Sequence, residues 1–434
     1  MKPRIHWVSP LPSAQTDIAH YTRRILPELA AATDLVLWTD ATEWDRELYK
    51  FCPIRRLDPD RVMPRDFARA GRRDGMMGRG PETVFVNIGN AWPFHAGFLR
   101  MIQRIPSVVI LHDMAIQELC IDAIRNNLLP HEVYNASMAH WHGQGGLQKA
   151  QDVLAGRSKA GDLAQEIPGF EITLPCAVSA VTHTSIARDA VNATGTVPTY
   201  LLDLPFHPST QKPQVTPSGI GPLRFVQFGY TGPNRRLQQV LEALAPLKGE
   251  VDFRLDIMGS VWDPPYIQRC IDELGLSQNV KLHGFVQESV LDQKLREAHL
   301  VFNLRYPTMG EASGSQLRIW NAAAPSVVTN LGWYAALPSN TVFRIEQDEE
   351  IPALQALVRK IHADPSIGRV VGAAGRARLE ERHTPSHYVK AVMDVAAQFS
   401  ADAATATRTR RLQAIIPDEG NAAEIYQATL KKFA

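Results

Sequence analysis

Short runs dense in Val, Ile, Leu and aromatic residues alternate with longer segments of helical apolar spacing, and this rhythm occurs twice, on either side of a proline-rich break. Such alternation constrains the chain to layered α/β units with parallel strands, because each strand is followed by a helix that carries the chain back to the starting edge. In the first half the runs "RIHWVSPL", "LVLWTD", "TVFVNIGN", "SVVILHD", "CAVSAVTHT" and "TYLLDL" are predicted strands, with a helix around Asp17–Ala31. The stretch "PFHPSTQKPQVTPSGIGP", Pro205 to Pro222, has no periodicity and reads as a linker. Beyond it the strands resume at "LRFVQFGY", "FRLDIMGS", "NVKLHGFV", "LVFNLRY", "SVVTNLGW" and "TVFRIE".

The 434 residues exceed what one core of up to ~250–300 residues accommodates, so two domains are expected. Their predicted bounds are 1–205 and 223–385, joined by linker 206–222. Helices over 386–434 are expected to pack back on the first domain, with "ADAATATRTRRLQ" solvated. With 46 basic and 45 acidic residues the formal charge is +1, which excludes a global field for nucleic acid and leaves room only for local, peripheral membrane contact. The four cysteines are scattered without a C-x-x-C pair, which argues against a disulfide framework or a zinc site and fits a cytoplasmic protein. No signal-peptide core or membrane-length apolar run is visible, so a soluble chain is expected.

Candidate chemistry concentrates in the second half. In "PTMGEASGSQLRIWNAAAPSVVTN", Ser313 and Gln316 have capping-box spacing, which predicts a helix from Gly314 to about Ala323. The free amides of Gly314, Ser315 and Gln316 would then face an anion at the sheet's carboxyl edge, Gly314 allowing close approach; an ordinary capped helix is the alternative. In "FGYTGPNRRLQQVLEAL" a helix is expected from Asn234, with Arg235 and Arg236 at its first positions. Cations there oppose the helix dipole, which suggests that they meet an anion, unless they are simply solvated.

The order of these segments resembles the nucleotide-binding half of retaining GT-B glycosyltransferases of carbohydrate-active family 4, and the first half agrees with that family's acceptor half. The resemblance implies two Rossmann-like domains facing across a cleft. By the same resemblance Gly229 ends the first strand of the donor half, Arg235 stands at the usual diphosphate-binding lysine with Arg236 beside it, and Glu311 contacts donor-sugar hydroxyls. The amides of Gly314 to Gln316, after Ser313, would meet the sugar or diphosphate. Three positions depart from the pattern. Ile319 replaces the acid that holds the ribose, Tyr230 replaces a second basic residue, and Thr16 and Asp17 replace glycines.

In the first half, Asp17 reads either as a helix cap or as a substrate contact. Strands ending in Asn87, Asn90 and His95, and in His112 and Asp113, place polar groups where ligands of open α/β sheets bind. The resemblance puts His112 against the donor sugar. Its alternatives are a satisfied strand-end histidine or a general base paired with Asp113 or Asp17. The basic loop "RAGRRDGMMGRGPE" reads as solvated or as an anionic-lipid contact, and "MAHWHGQGGLQKAQ" as a mobile acceptor-side loop without metal-ligand spacing.

The expectation is therefore a metal-independent, hexosyltransferase-like enzyme that needs no cofactor. It would move a sugar from a nucleotide-diphosphate sugar to a glycan or lipid-linked acceptor, with retention, in bacterial polysaccharide or lipopolysaccharide synthesis at the inner face of the membrane. A catalytically silent GT-B subunit or sugar-binding module and a GT-B sugar-nucleotide epimerase are the alternatives.

Overall fold

The structure, a computed structural model, describes residues 2–73, 82–209 and 221–415. Most of the basic loop "RAGRRDGMMGRGPE" and of the linker lies outside the described residues. The chain divides into two compact units. Unit 1 comprises Met1–Pro205, Met309–Ala312 and Pro385–Ala434, and unit 2 comprises Phe206–Thr308 and Ser313–Thr384.

Unit 1 is built on seven parallel strands: β1 (Arg4–Val8), β2 (Asp34–Thr39), β3 (Ile54–Arg56), β4 (Glu82–Ile88), β5 (Ser107–Leu111), β6 (Ala177–Thr182) and β7 (Thr199–Leu201). Their order is β3-β2-β1-β4-β5-β6-β7, so the sheet changes winding direction between β1 and β4. Both faces are covered, which is why these strands read as near-continuous apolar runs. On one face Ile5, Trp7 and Phe85 pack with Ile25 and Leu26 of the helix Asp17–Ala32 and with Val389 and Val392. On the other, Val8, Val86 and Val109 meet Phe98 and Leu99 of the helix Trp92–Ile102.

The last described helix, Pro385–Ile415, thus belongs to unit 1. Its distal half, "ADAATATRTRRLQ", is solvated on one face as expected, while the other face docks on unit 1. Ala406 is fully buried, Asp402 Oδ2 accepts from the Tyr200 hydroxyl at 2.8 Å, and Arg410 donates to the Ala177 carbonyl. Small and polar residues dock here because Asp402 finds a partner on β7 and Arg410 one on β6.

Unit 2 has six parallel strands: β8 (Leu223–Phe228), β9 (Phe253–Met258), β10 (Val280–Gly284), β11 (Leu300–Phe302), β12 (Ser326–Thr329) and β13 (Phe343–Ile345). The order β10-β9-β8-β11-β12-β13 is doubly wound, with its switch point between β8 and β11. Phe225, Phe253 and Phe302 form the heart of one face under the helix Leu237–Leu244. Val226, Phe228, Val301 and Ile319 form the other.

The helix Ser366–Arg382 lies against the end of the helix Gly314–Asn321 through glycines. A Cβ at Gly372 would stand 2.0 Å from the Ala323 carbonyl oxygen and 2.8 Å from its carbon, both backbone atoms. Backbone cannot swing aside as a side-chain tip can. Gly372→Ala is therefore expected to destabilise the protein by roughly 1–3 kcal/mol in urea denaturation, the scale of an overpacked core. Wild-type stability in that variant would contradict the close approach.

Candidate functional site

At the carboxyl edge of the second sheet the chain turns sharply out of each strand. Gly229 follows β8 at φ 93° and Gly259 follows β9 at φ 112°, conformations that L side chains rarely adopt. A Cβ on Gly259 would lie 2.3 Å from the Gly229 carbonyl oxygen, so the turn after β9 needs glycine for space as well.

The segment after Gly229 does not enter a helix at Asn234. A short 3-10 turn spans Pro233–Arg235, Arg236 adopts φ 57°, and the α-helix begins at Leu237. One left-handed residue sends the two arginine side chains apart. Arg236 pairs with Glu350, Nη2 to Oε2 at 2.7 Å, so the charge expected to flank a phosphate already has a buried carboxylate. Arg235 turns inward and is only 5% exposed. Its Nη2 donates a long 3.4 Å bond to the Phe228 carbonyl. Burial, then the charge of Arg305, pushes the Arg235 guanidinium down to about 10. Tyr334, 5% exposed, lies beside it, and its hydroxyl favours the charged guanidinium. Tyr230 is exposed and brings no charge.

Ser313 caps the helix Gly314–Asn321, its Oγ accepting from Gln316 N at 3.1 Å. The reciprocal half of the capping box is absent. Gln316 instead accepts from Asn303 Nδ2 at 2.9 Å and donates to Ser326 Oγ at 2.8 Å, which pins the helix start to β11 and β12. Since Gln316 N is spent on the cap, the amides of Gly314 and Ser315 are the first-turn donors without an intrahelical acceptor. Ile319 is fully buried with Val226, Phe228 and Leu295. It is a core residue and does not line a pocket.

Glu311 sorts with unit 1. Met309 carbonyl accepts from Met114 N and Ala115 N at 3.2 and 3.0 Å, and Gly310 carbonyl accepts from Thr184 Oγ1 at 2.9 Å. Within this turn Glu311 Oε2 accepts from Met309 N at 2.7 Å.

In unit 1, Asn87 Nδ2 donates to the Val8 carbonyl at 3.0 Å, which leaves Oδ1 facing His112 Nε2 at 2.9 Å. Nε2 therefore carries the proton, and Nδ1 is left as the acceptor of a neutral ring. Burial, with His183 and His95 nearby, holds His112 well below the usual histidine value. The His112 ring meets the Tyr21 ring edge-on at 4.7 Å and lies 5.0 Å from His183, and the hydroxyls of Tyr21 and Tyr388 are hydrogen-bonded. The partner of His112 Nε2 is the Asn87 carboxamide, not the Asp113 or Asp17 carboxylate of the alternative general-base reading. Asp113 Oδ2 accepts from Asn90 N at 2.8 Å, and Asp17 is exposed in the first turn of a helix capped by Thr16.

Asn90 itself holds the start of the helix Gln117–Arg125, accepting from Leu119 N at 3.0 Å and donating to Glu118 at 2.9 Å. His95 is not at a strand end but inside the helix Trp92–Ile102, fully buried, with Nδ1 on the Asn87 carbonyl at 3.2 Å. Asn90 and His95 thus have structural roles. The stretch "MAHWHGQGGLQKAQ" is not a loop either, but part of a helix kinked at Gly143, where His142 lies 3.3 Å from Glu171. Arg305 and Tyr334 were not singled out in the sequence. The signal for Arg305 was its place at the end of a strand run, "LVFNLRY", the same signal that marked His112.

No protein-family profile and no curated protein matches the sequence. Solved structures do match. Sucrose-phosphate synthase from Thermosynechococcus elongatus is 15% identical with a TM-score of 0.59, over 92% of this chain and all of that one. HepE of Anabaena, solved in complex with UDP, is 13% identical with a TM-score of 0.57 over 92% of this chain and 100% of its own. A glycosyltransferase from Rickettsia africae is 10% identical, with a TM-score of 0.58 over 92% of this chain and 98% of its own. At such identities the likeness is one of fold. That fold is GT-B, two Rossmann-like units in one chain with the C-terminal helix returned to the first.

Two measurements check this description. Ile319→Glu, which would restore an acid at the position of the departure, places a carboxylate in an apolar cluster and is expected to cost several kcal/mol in denaturant unfolding, about 3 or more. Tolerance would mean that the side chain reaches solvent. His95 and His183 are both held near 4 by burial, against 6.5 when unfolded. The unfolded chain then takes up protons that the folded one refuses, so stability present above 6.5 should fall as pH drops toward 4. Replacing both histidines by glutamine should flatten that fall.

Proposed function

We propose that this chain is a glycosyltransferase that transfers a sugar from a nucleotide-diphosphate sugar to a glycan or lipid-linked acceptor, with retention, in bacterial surface-polysaccharide synthesis. The observation that carries the reading is Arg235. It is a buried guanidinium at the switch point of a doubly wound sheet, and among the described residues no carboxylate forms an ion pair with it. Ligands of such sheets bind at that point, and a phosphate is the group that two guanidinium donors fork. HepE, which shares the fold, was solved with UDP-glucose as well as UDP, which supports the same class of donor.

In the reaction the bond from the anomeric carbon to the diphosphate oxygen breaks while the acceptor hydroxyl bonds to that carbon on the same face. The hydroxyl proton passes to the departing phosphate oxygen. Arg235 would stabilise the charge that grows there, and the amides of Gly314 and Ser315 would add dipole support. In unit 1 the neutral ring of His112 offers Nδ1 to a sugar hydroxyl, a hydrogen-bonding task with no need of a charged imidazole. Glu311 is proposed to contact donor-sugar hydroxyls.

Calorimetry with UDP, GDP and CDP sugars tests the reading. One of the three should bind, Arg235→Ala should weaken it at least ~10-fold, about 1.4 kcal/mol, and Glu311→Ala should lower turnover. Slow donor hydrolysis that accelerates with the right acceptor would complete the case. Binding without any turnover across a broad acceptor panel would favour the second reading, a silent sugar-binding module, which the apolar Ile319 encourages. Failure of every nucleotide diphosphate to bind would sink the transferase and leave the silent module, which need not bind them.

A further inference from the structure

We infer that unit 2 holds a second ligand site, at the amino-terminal edge of its sheet, which takes a small amphiphile with a hydrocarbon body and a single carboxylate head.

A cavity of about 400 Å³ opens there. Small-molecule sites run to about 300–1,000 Å³, so the space is adequate. Its floor forms where the chain enters two neighbouring strands, with Ala298 and His299 just before β11 and Pro325 just before β12. Ala322 and Ala323, immediately after the helix Gly314–Asn321, extend that floor. Because all six strands run the same way, this edge is opposite to the one that bears Arg235.

The facing wall is the helix Ser366–Arg382. Glycines hold it close, since a Cβ on Gly368 would stand 3.2 Å from Pro325 Cγ and one on Gly372 would collide with the Ala323 carbonyl. Ala373 and Ala377, four residues apart on the same helix face, then have too little side chain to fill the space beside those contacts. The cavity is therefore walled by methyl and pyrrolidine groups, which favour a hydrocarbon over water.

Charge selects the head group. Arg296, Arg369 and Arg376 line the cavity against one carboxylate, Glu380. That acid is already held, accepting from Arg376 Nε at 2.7 Å, while the rest of the Arg376 guanidinium donates to the carbonyls of Asn321 and Ser209, each at 2.6 Å. Arg369 is exposed, and the acid that feels its charge, Asp364, does not line the cavity. His299 Nδ1 accepts from Arg224 N at 3.0 Å, so in the neutral ring Nε2 carries the proton and is a donor. Burial, then the charges of Arg224 and Arg369, hold that ring below the usual histidine value and so keep it neutral. A carboxylate accepts from a guanidinium and an imidazole alike. A neutral amphiphile would leave those donors unanswered, and a bare anion would leave the apolar walls wet.

The experiment is titration calorimetry of the full chain with octanoate, hexanoate, octan-1-ol and acetate, each below its aggregation limit and at constant ionic strength. Wild type is compared with Ala377→Trp and Ala373→Leu, which fill the cavity, and with Arg369→Gln and Arg369→Lys. All three positions are exposed on the helix surface, so the variants should melt like wild type, and two different fillers guard against one that does not. Wild type should bind one octanoate, at least ~3-fold tighter than octan-1-ol, the scale of one exposed ion pair. Hexanoate should be weaker by up to about 4-fold per methylene removed, and acetate should not register where octanoate saturates. Each filler should weaken octanoate at least ~10-fold. Arg369→Gln should weaken it about 3-fold to 5-fold and leave octan-1-ol unchanged, with Arg369→Lys in between.

Equal binding of octanoate and octan-1-ol, indifferent to Arg369→Gln, would overturn the carboxylate assignment and leave an apolar pocket. Acetate binding like octanoate would show an anion contact without a hydrocarbon site, and several octanoates bound with no loss in either filler would be binding of an adventitious additive only; both refute the proposal, as does the absence of any octanoate binding. Sedimentation velocity covers one further occupant. A wild-type dimer that Ala377→Trp dissociates would give this face to a second copy of the chain and refute the ligand site.

Discussion

Parallel strands deliver all their carboxyl ends to one edge, and a sheet covered by helices on both faces has little but its edges to offer a ligand. That constraint organises each unit of this protein. In unit 1, β4 and β5 are neighbours, so Asn87 near the end of one fixes the ring of His112 just beyond the other. In unit 2, glycines just after β8 and β9 and at the end of β10, at φ 93°, 112° and 64°, let the chain leave each of these strands at once. The edge between β8 and β11 is therefore where Arg235 and Arg305 come together. The residues with chemical potential are few because the topology leaves few places for them.

The two adjacent arginines show how little sequence distance says about role. A single backbone residue in the left-handed region separates a buried guanidinium from one that closes a salt bridge with Glu350. Arg236 has its stabilising partner, and the ring of Tyr306 lies 5.7 Å beneath it. Arg235 has desolvation and the like charge of Arg305 against it, with the hydroxyl of Tyr334 in its favour. A fold keeps such a residue at a thermodynamic disadvantage only if the surrounding core holds it there, as the packed β8 and the Gln227 carboxamide do here.

The strands were legible because burial on both faces turns them into apolar runs. Twelve of the thirteen fall within segments visible in the sequence; β3, the three residues Ile54–Arg56, is too short and too basic to register. The cap at Ser313 was equally legible, being a local hydrogen bond between residues three apart. What the sequence hid depends on contacts distant along the chain. Gln316 abandons its capping partner for Asn303 and Ser326, and Arg236 finds Glu350 more than a hundred residues on. His95 is carried from an expected strand end into a buried helical turn because the strand β4 stops at Ile88 and the helix starts at Trp92. Apolar periodicity reports which face is buried, but the partner of a buried polar group is a tertiary fact.

Charge is divided unequally between the units. The conspicuous buried cation belongs to unit 2, at Arg235, while the buried imidazoles of unit 1 at His95, His112 and His183 are all driven toward neutrality by burial. A neutral ring with one nitrogen committed to a protein acceptor presents a single lone pair, which suits a hydroxyl and repels neither charge. A buried guanidinium such as Arg235 suits an anion. Ile319 fits this division, because an acid there would have brought a negative charge into the apolar layer under β8 and β11. With that charge absent, no carboxylate at position 319 opposes the guanidinium of Arg235 at the unit 2 edge.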